Sequence, residues 1–220
     1  WGENGLHTTV VDGSHVALLS ATIGDACFET YEVEPVEIGI ELGKMRDLLG
    51  LAGSGDLVEI NYDDAVGAIN VRVGEVHRIL RGLDVGTMNS AKEPVIEYTH
   101  GAKISAEKLS RAIRASKMVN ELVKMSIEEN KLTISADQEA GESVTVSFES
   151  GELSELNAPS PTASTYSLQF LDPLMKKLAS GYAEDVSMEF EEKYPFKMSW
   201  NSNDGGASWT YFLAPRVTND

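Results

Sequence analysis

The sequence predicts an α+β protein of two similar modules, each mostly antiparallel sheet with a few short helices. Three observations predict it: an internal repeat, strand alternation through most of the chain, and helix periodicity confined to short runs. The stretch from Gly39, GIELGKMRDLLGLAGSGDLVEINYDDAVGAINVRV, can be laid on that from Ser167, SLQFLDPLMKKLASGYAEDVSMEFEEKYPFKMSW. Each has an apolar lead-in, a helix-period run, a small-residue stop (Ala52-Gly53, Ala179-Ser180), an acid (Asp56, Asp185) and two alternating strands. At nearly the same offset, NGLHTTVVDGSHVALLSATI from Asn4 matches NKLTISADQEAGESVTVSFES from Asn130.

These matches place a first module at residues 1–81, a connector at 82–94 and a second module at 95–220. The segments VEINYDD, INVRVG, VHRILRGL, VTVSFES, VSMEFEE and KMSW alternate apolar and polar residues, as half-buried strands do. GLDVGTMNSAKEP follows neither period and carries turn-forming residues, so it reads as an exposed connector. ELNAPSPTAST, from Glu155, reads as a polar loop. Before Asn130 the second module has a strand (Val95 to Thr99), a turn at Gly101, a helix (Ser105 to about Asn120) and a strand (Leu122 to Ile127). Before Asn4 the first has only Trp1-Gly2-Glu3, so about thirty residues lack a counterpart; the natural protein is expected to begin earlier.

The 220 residues are enough for a sizeable core, and no apolar run approaches the ~20 residues of a membrane span. A single cysteine, Cys27, excludes an internal disulfide framework and a Cys-rich zinc site, fits a reducing compartment, and is expected as a buried small hydrophobe. With 18 Lys plus Arg against 35 Asp plus Glu, the net charge is -17, which as an average argues against a polyanionic partner. The average conceals an inversion. Three helical runs, Gly43 to Gly53, Ser105 to Asn120 and Asp172 to Ser180, hold 8 basic and 3 acidic side chains, leaving 10 basic and 32 acidic elsewhere. In the middle run, Ser105 is a candidate N-cap with Glu107 in the first turn. Ala106, Leu109, Ala112, Ile113 and Ser116 share one side, and Lys108, Arg111, Arg114 and Lys117 spread over the other. In the first run Leu42, Met45, Leu48, Leu49 and Ala52 form the apolar face; Lys44 and Arg46 flank Asp47 and Gly50, which makes it the weakest of the three. Equivalent helices biased the same way in an acidic chain point to a common surface facing a polyanion.

Catalytic patterns are not found. GLAGSGD lacks the Lys-Ser/Thr of a phosphate loop and follows a helix, so its glycines read as a helix stop. His7, His15, His77 and His100 show no metal-ligand spacing. The acid pairs Asp63-Asp64, Glu128-Glu129 and Glu191-Glu192 fall in or beside turns, where solvated acids are ordinary. No enzyme, metal or cofactor is expected; the competing reading is an acidic β-rich enzyme that uses one of these pairs.

Several segments, in order along the whole chain, resemble sliding clamps of the proliferating cell nuclear antigen family. They are VVDGSHVALL, IELGKMRDLLGLAGSGD, GLDV, SRAIRASKMV, KYPFKMSW and the ending WTYFLAPRV. The resemblance implies a DNA-clamp fold in which helices line the inside of a ring and sheets form the outside. Subunits would close head to tail around double-stranded DNA without sequence preference, with VHRILRGL and SVTVSFES as the pairing edges. Arg111, Arg114 and Lys176 fall on the family's pore positions. Lys108, Lys117 and Lys177 are added from helix phase, and Lys44 and Arg46 are doubtful substitutes in the first module. The resemblance further implies a pocket for short partner peptides at Val11, His15, Met88, Pro195, Phe212, Leu213, Ala214 and Pro215, with Leu83 and Val85 anchoring the connector. Implied partners are DNA polymerase, clamp loader, flap endonuclease, DNA ligase and further copies of the chain in a trimeric ring, with no membrane partner. The location would be the archaeal cytoplasm, or the nucleus in a eukaryote. A specialised clamp paralogue in a heteromeric or checkpoint-type ring is the alternative within the family.

Overall fold

The structure, a computed structural model, describes residues 1–88 and 91–216. Asn89 and Ser90 of the expected connector and Val217 of the C-terminal run lie outside the described residues. The chain opens with β1 (Gly5–Val11) and β2 (Ala17–Gly24), then α1 (Leu42–Leu49), β3 (Val58–Asp63), β4 (Ala68–Val73) and β5 (Val76–Arg81). Next come β6 (Gly101–Ser105), α2 (Ala106–Lys117), β7 (Leu122–Glu128), β8 (Lys131–Asp137) and β9 (Ser143–Glu149). Two short strands, β10 (Glu155–Asn157) and β11 (Thr162–Ser167), precede α3 (Leu168–Lys177), β12 (Asp185–Glu189), β13 (Phe196–Asn201) and β14 (Ala207–Leu213). The repeat maps onto this order: β1, β2, α1, β3, β4 and β5 correspond to β8, β9, α3, β12, β13 and β14.

The chain packs as two compact units, Trp1 with Val33–Ser90, and Gly2–Glu32 with Ala91–Asp220. The first holds α1 and an antiparallel sheet ordered β3-β4-β5, whose inner face buries Ile69, Val71, Val73 and Leu80 against Met45 and Leu48. Of the five residues expected on the apolar face of α1, only these last two are buried. Leu42 is 61% exposed, Leu49 and Ala52 are exposed, and the helix stops at Leu49, so one short helix meets the small sheet through one turn's contacts. In the same unit Leu83 N–H donates to Gly39 C=O at 2.8 Å, and a Cβ on Gly39 would stand 2.9 Å from that of Leu83. Leu83 thus ties down the start of the connector through its backbone and a contact only glycine permits.

The second unit has a seven-stranded sheet ordered β1-β2-β14-β13-β12-β6-β10 and a four-stranded sheet ordered β11-β7-β8-β9. A core of inner-face residues from both sheets is closed by the apolar faces of α2 and α3. The hairpin β1-β2 belongs here because β2 runs along β14 from Ala17↔Leu213 to Ala207↔Ile23. The packing boundary therefore differs from the sequence boundaries at 81 and 95: a continuous backbone ladder groups the hairpin with the later residues.

Three local expectations change. Residues 95–99 form no strand, and Val95 is 99% exposed; the strand is β6, whose Ala102 and Ile104 bury against β12. The segment from Glu155 to Thr165 read as a loop, yet it supplies β10, paired with β6, and most of β11, paired with β7. Helix α3 begins at Leu168, four residues before the expected start. Pro173 favours a first-turn reading, but burial of Leu168 and Leu171 draws the helix back through it. Cys27 is exposed in a short turn after β2, not buried.

Candidate nucleic-acid interface

Helix α2 follows directly from Ser105, whose backbone is extended but whose side chain makes no capping hydrogen bond. Its ends suit the helix dipole, with Glu107 in the first turn and Arg114 and Lys117 in the last. Ala106, Leu109, Ala112, Ile113 and Ser116 are all buried, as the wheel requires, and Ser116 Oγ satisfies itself by donating to Ala112 C=O at 3.0 Å. Arg111, Arg114 and Lys117 are exposed, and the partly exposed Lys108 donates from Nζ to Glu152 C=O at 3.2 Å.

Helix α3 packs beside α2 and brings Lys176 close to Lys117 across the contact, with Lys177 exposed on α3. The contact is built around one buried acid. Asp172 is 2% exposed, and its Oδ2 accepts from Lys117 Nζ at 2.8 Å and from Lys176 Nζ at 2.9 Å. Hydrogen bonds from Lys117 and then Lys176 hold its carboxyl below the usual range, and the same bond raises Lys117. Among the described residues, Arg111, Arg114 and Lys177 are exposed and have no ion-pair partner.

Lys44 and Arg46 lie in the other unit, on α1. Both are neutralised locally, Lys44 by Glu41 at 2.6 Å and Arg46 by Asp47 at 2.8 Å. Exposed pairs of this kind add little stability, but they cancel the charge that the first-module helix would offer to a polyanion.

The acid pairs are not arranged for acid-base chemistry. Asp63 accepts from Ala65 N–H in a turn, and Glu128 faces Lys131 at 3.5 Å. Glu191 accepts from Thr99 N–H at 2.6 Å and Thr99 Oγ1 at 2.8 Å, with His100 Nδ1 at 3.3 Å. The Thr99 backbone bond lowers its pKa, opposite to what a general acid needs. Among the described residues no three His, Cys, Asp or Glu side chains cluster as a metal site.

Most of the residues expected at a peptide pocket meet at one end of the seven-stranded sheet. Val11 pairs with Leu18, Leu18 with Phe212, and Phe212 with Lys197, two residues after Pro195, while Ala214 N–H donates to Val16 C=O at 2.8 Å. Asp12 builds the intervening loop by accepting from Ser14, Val16 and Ala17 N–H at 2.9, 2.7 and 2.7 Å and from the Ser14 hydroxyl. These bonds, Ala17's first, hold its carboxyl well below the usual range. His15 is exposed at φ 56, turned outward by that loop. Period-two alternation separates Phe212 from Leu213. By strand register Val11, Leu18 and Phe212 share one face, on which Phe212 is itself only 5% exposed, whereas Leu213 is on the opposite face, 0% exposed in the core. Leu18, paired with Phe212, adds a further apolar side chain to that face. Met88 lies in the first unit and is exposed there.

Comparison with known proteins agrees with this architecture. Residues 1–81 match the family model described as proliferating cell nuclear antigen, N-terminal domain. A DNA polymerase sliding clamp from Methanocella arvoryzae is 26% identical over 99% of the chain and 88% of its own length. Among solved structures, A. fulgidus PCNA with the bound C-terminal region of FEN-1 gives a TM-score of 0.89 at 24% identity, covering 99% of this chain and 88% of that one. A PCNA2-PCNA3 complex from Sulfolobus tokodaii gives 0.80 at 23%, covering 97% and 87%. The chain therefore has the fold of these clamps, its first 81 residues match the proliferating cell nuclear antigen N-terminal domain, and its similarity to an archaeal DNA polymerase sliding clamp runs over 99% of its length.

Proposed function

We propose that this sliding clamp encircles duplex DNA, presents α2 and α3 to the phosphates, and tethers replication and repair proteins without itself catalysing a reaction. The observation that carries the reading is the cation set of Arg111, Arg114 and Lys177 on adjacent helices of a chain whose net charge is -17. Loose phosphate contact carries no sequence information and permits sliding.

The repeat also supports ring closure. Within the chain β2 pairs antiparallel with β14, and their repeat counterparts are β9 and β5. Both counterparts are edge strands, β5 carrying Arg78 and Arg81 and β9 preceded by Glu142 and ending in Glu149. Pairing β5 of one copy with β9 of the next would repeat the internal junction between subunits, join opposite charges and leave neither edge open. A trimer built this way accommodates identical or related subunits alike. The cytoplasm is the location that suits the archaeal relatives.

The outer-face end of the seven-stranded sheet, with Val11, Leu18, Phe212, Ala214 and Pro215 beside His15 and Pro195, suits the apolar anchors of a short partner helix. DNA polymerase, clamp loader, flap endonuclease and DNA ligase are the proposed clients, and the FEN-1 segment bound to A. fulgidus PCNA supports the peptide-binding part of this reading.

The test is retention on nicked circular DNA after loading, compared with the same DNA linearised. Retention on the circle and loss from the linear form is the expected result; equal loss from both would refute encirclement. Arg111→Ala with Arg114→Ala should shorten retention on the circle severalfold while the oligomer's mass stays unchanged.

A further inference from the structure

Asp172 is the one fully buried carboxylate among the described residues, and it lies within the basic face. Lys117 comes to it from α2 and Lys176 from its own helix one turn on, both to a single oxygen, Oδ2. The three groups together carry one net positive charge where two lysines alone would carry two. Leaving a buried carboxylate without its counter-charges is strongly unfavourable, so a passing phosphate cannot draw both lysines away. Lys177, next in sequence to Lys176, is exposed and has no such partner among the described residues.

We infer that Asp172 is a positioning residue that withholds Lys117 and Lys176 from phosphate, so that Arg111, Arg114 and Lys177 are the cations that follow the duplex. The inference rests on the DNA reading above. It divides a face that looks uniformly basic in sequence into a fixed, partly neutralised part at the α2-α3 contact and a mobile part around it. The effect is to limit how many counterions are displaced at once, which keeps contact weak enough for movement along the duplex.

Two measurements test this. In the first, binding of a short labelled duplex is followed by fluorescence anisotropy between about 50 and 200 mM salt, where each neutralised phosphate adds roughly 0.9 to the slope of log K against log salt. Asp172→Asn is expected to raise affinity severalfold at the low-salt end and steepen the slope by roughly one to two. Adding Lys117→Ala to Asp172→Asn should remove about half of that increase. A folded Asp172→Asn protein with an unchanged slope would overturn the assignment. Flattening of the slope by Arg111→Ala with Arg114→Ala checks the DNA reading separately.

The second measurement needs neither DNA nor a variant. Amine labelling of the native protein by a small acylating reagent, read by peptide mass spectrometry, should modify Lys177 faster than Lys117 and Lys176, whose ammonium groups are held by Asp172. Equal labelling of the three would refute the inference even if Asp172→Asn failed to fold or the interface reading failed.

Discussion

At the scale of single residues, three carboxylates organise this protein through the hydrogen bonds they accept. Asp12 gathers the loop between β1 and β2, Glu191 fastens the β12-β13 turn to Thr99, and Asp172 joins α2 to α3. All three are held below their ordinary values. The stability they contribute is therefore present above the unfolded carboxylate range, about 4, and is lost as pH falls through each lowered value. Asp12→Ala should lower the melting temperature at pH 7, by a margin that shrinks in acid as the wild-type carboxylate is itself neutralised. A margin independent of pH would show that the charge on Asp12 is immaterial. None of these roles was legible in the sequence. Asp12 stands in a visible Asp-x-Ser-His-Val run, but apart from the Ser14 hydroxyl the donors to its carboxylate are backbone N–H groups. Asp172 counted only as one acid among basic neighbours, because the lysine that completes its site comes from another helix.

At the scale of elements, alternation and helix phase carried the reading wherever one face meets a core. The buried side of α2 and the strands β3, β4, β5, β9, β12 and β13 follow directly from it. It failed where burial decides against local preference. Ile96-Glu97-Tyr98-Thr99 alternates just as Ala102-Lys103-Ile104-Ser105 does, yet only the second is a strand, because β12 lies beside it. Strand β14 shows what alternation decides within an otherwise apolar run. Leu213 faces the core and Thr210 the outer surface, so Leu213→Ala should cost about 2–5 kcal/mol of unfolding free energy. Thr210→Ala, on the partly exposed face, should cost well under that, within about 1 kcal/mol. Urea titration of the two variants checks the contrast, and similar losses would contradict the assigned faces.

At the scale of the whole molecule, the question is how strand edges and charge serve an assembly. Strand β5 is an edge with Ile79 60% exposed, a hazard for a monomer unless another chain covers it. Ile79→Lys is expected to shift the mass in solution from oligomer to single chain and to abolish retention on circular DNA. Variant chains that kept the wild-type mass would place the subunit contact elsewhere. Arg81→Glu, which sets like charges against the acidic flanks of β9, should weaken assembly less and in a salt-dependent way.

The sequence by itself determined the repeat, the antiparallel character of both modules and the sorting of positive charge onto helices. All three are properties of spacing and composition, which local physics can read. The tertiary structure alone decided that the opening hairpin extends the second unit's sheet, that Phe212 and Leu213 part to opposite faces, and that two of the basic residues are bound to a buried acid. Those facts depend on partners far apart in the chain, and a buried carboxylate takes its counter-charges from whatever packing places within hydrogen-bond reach.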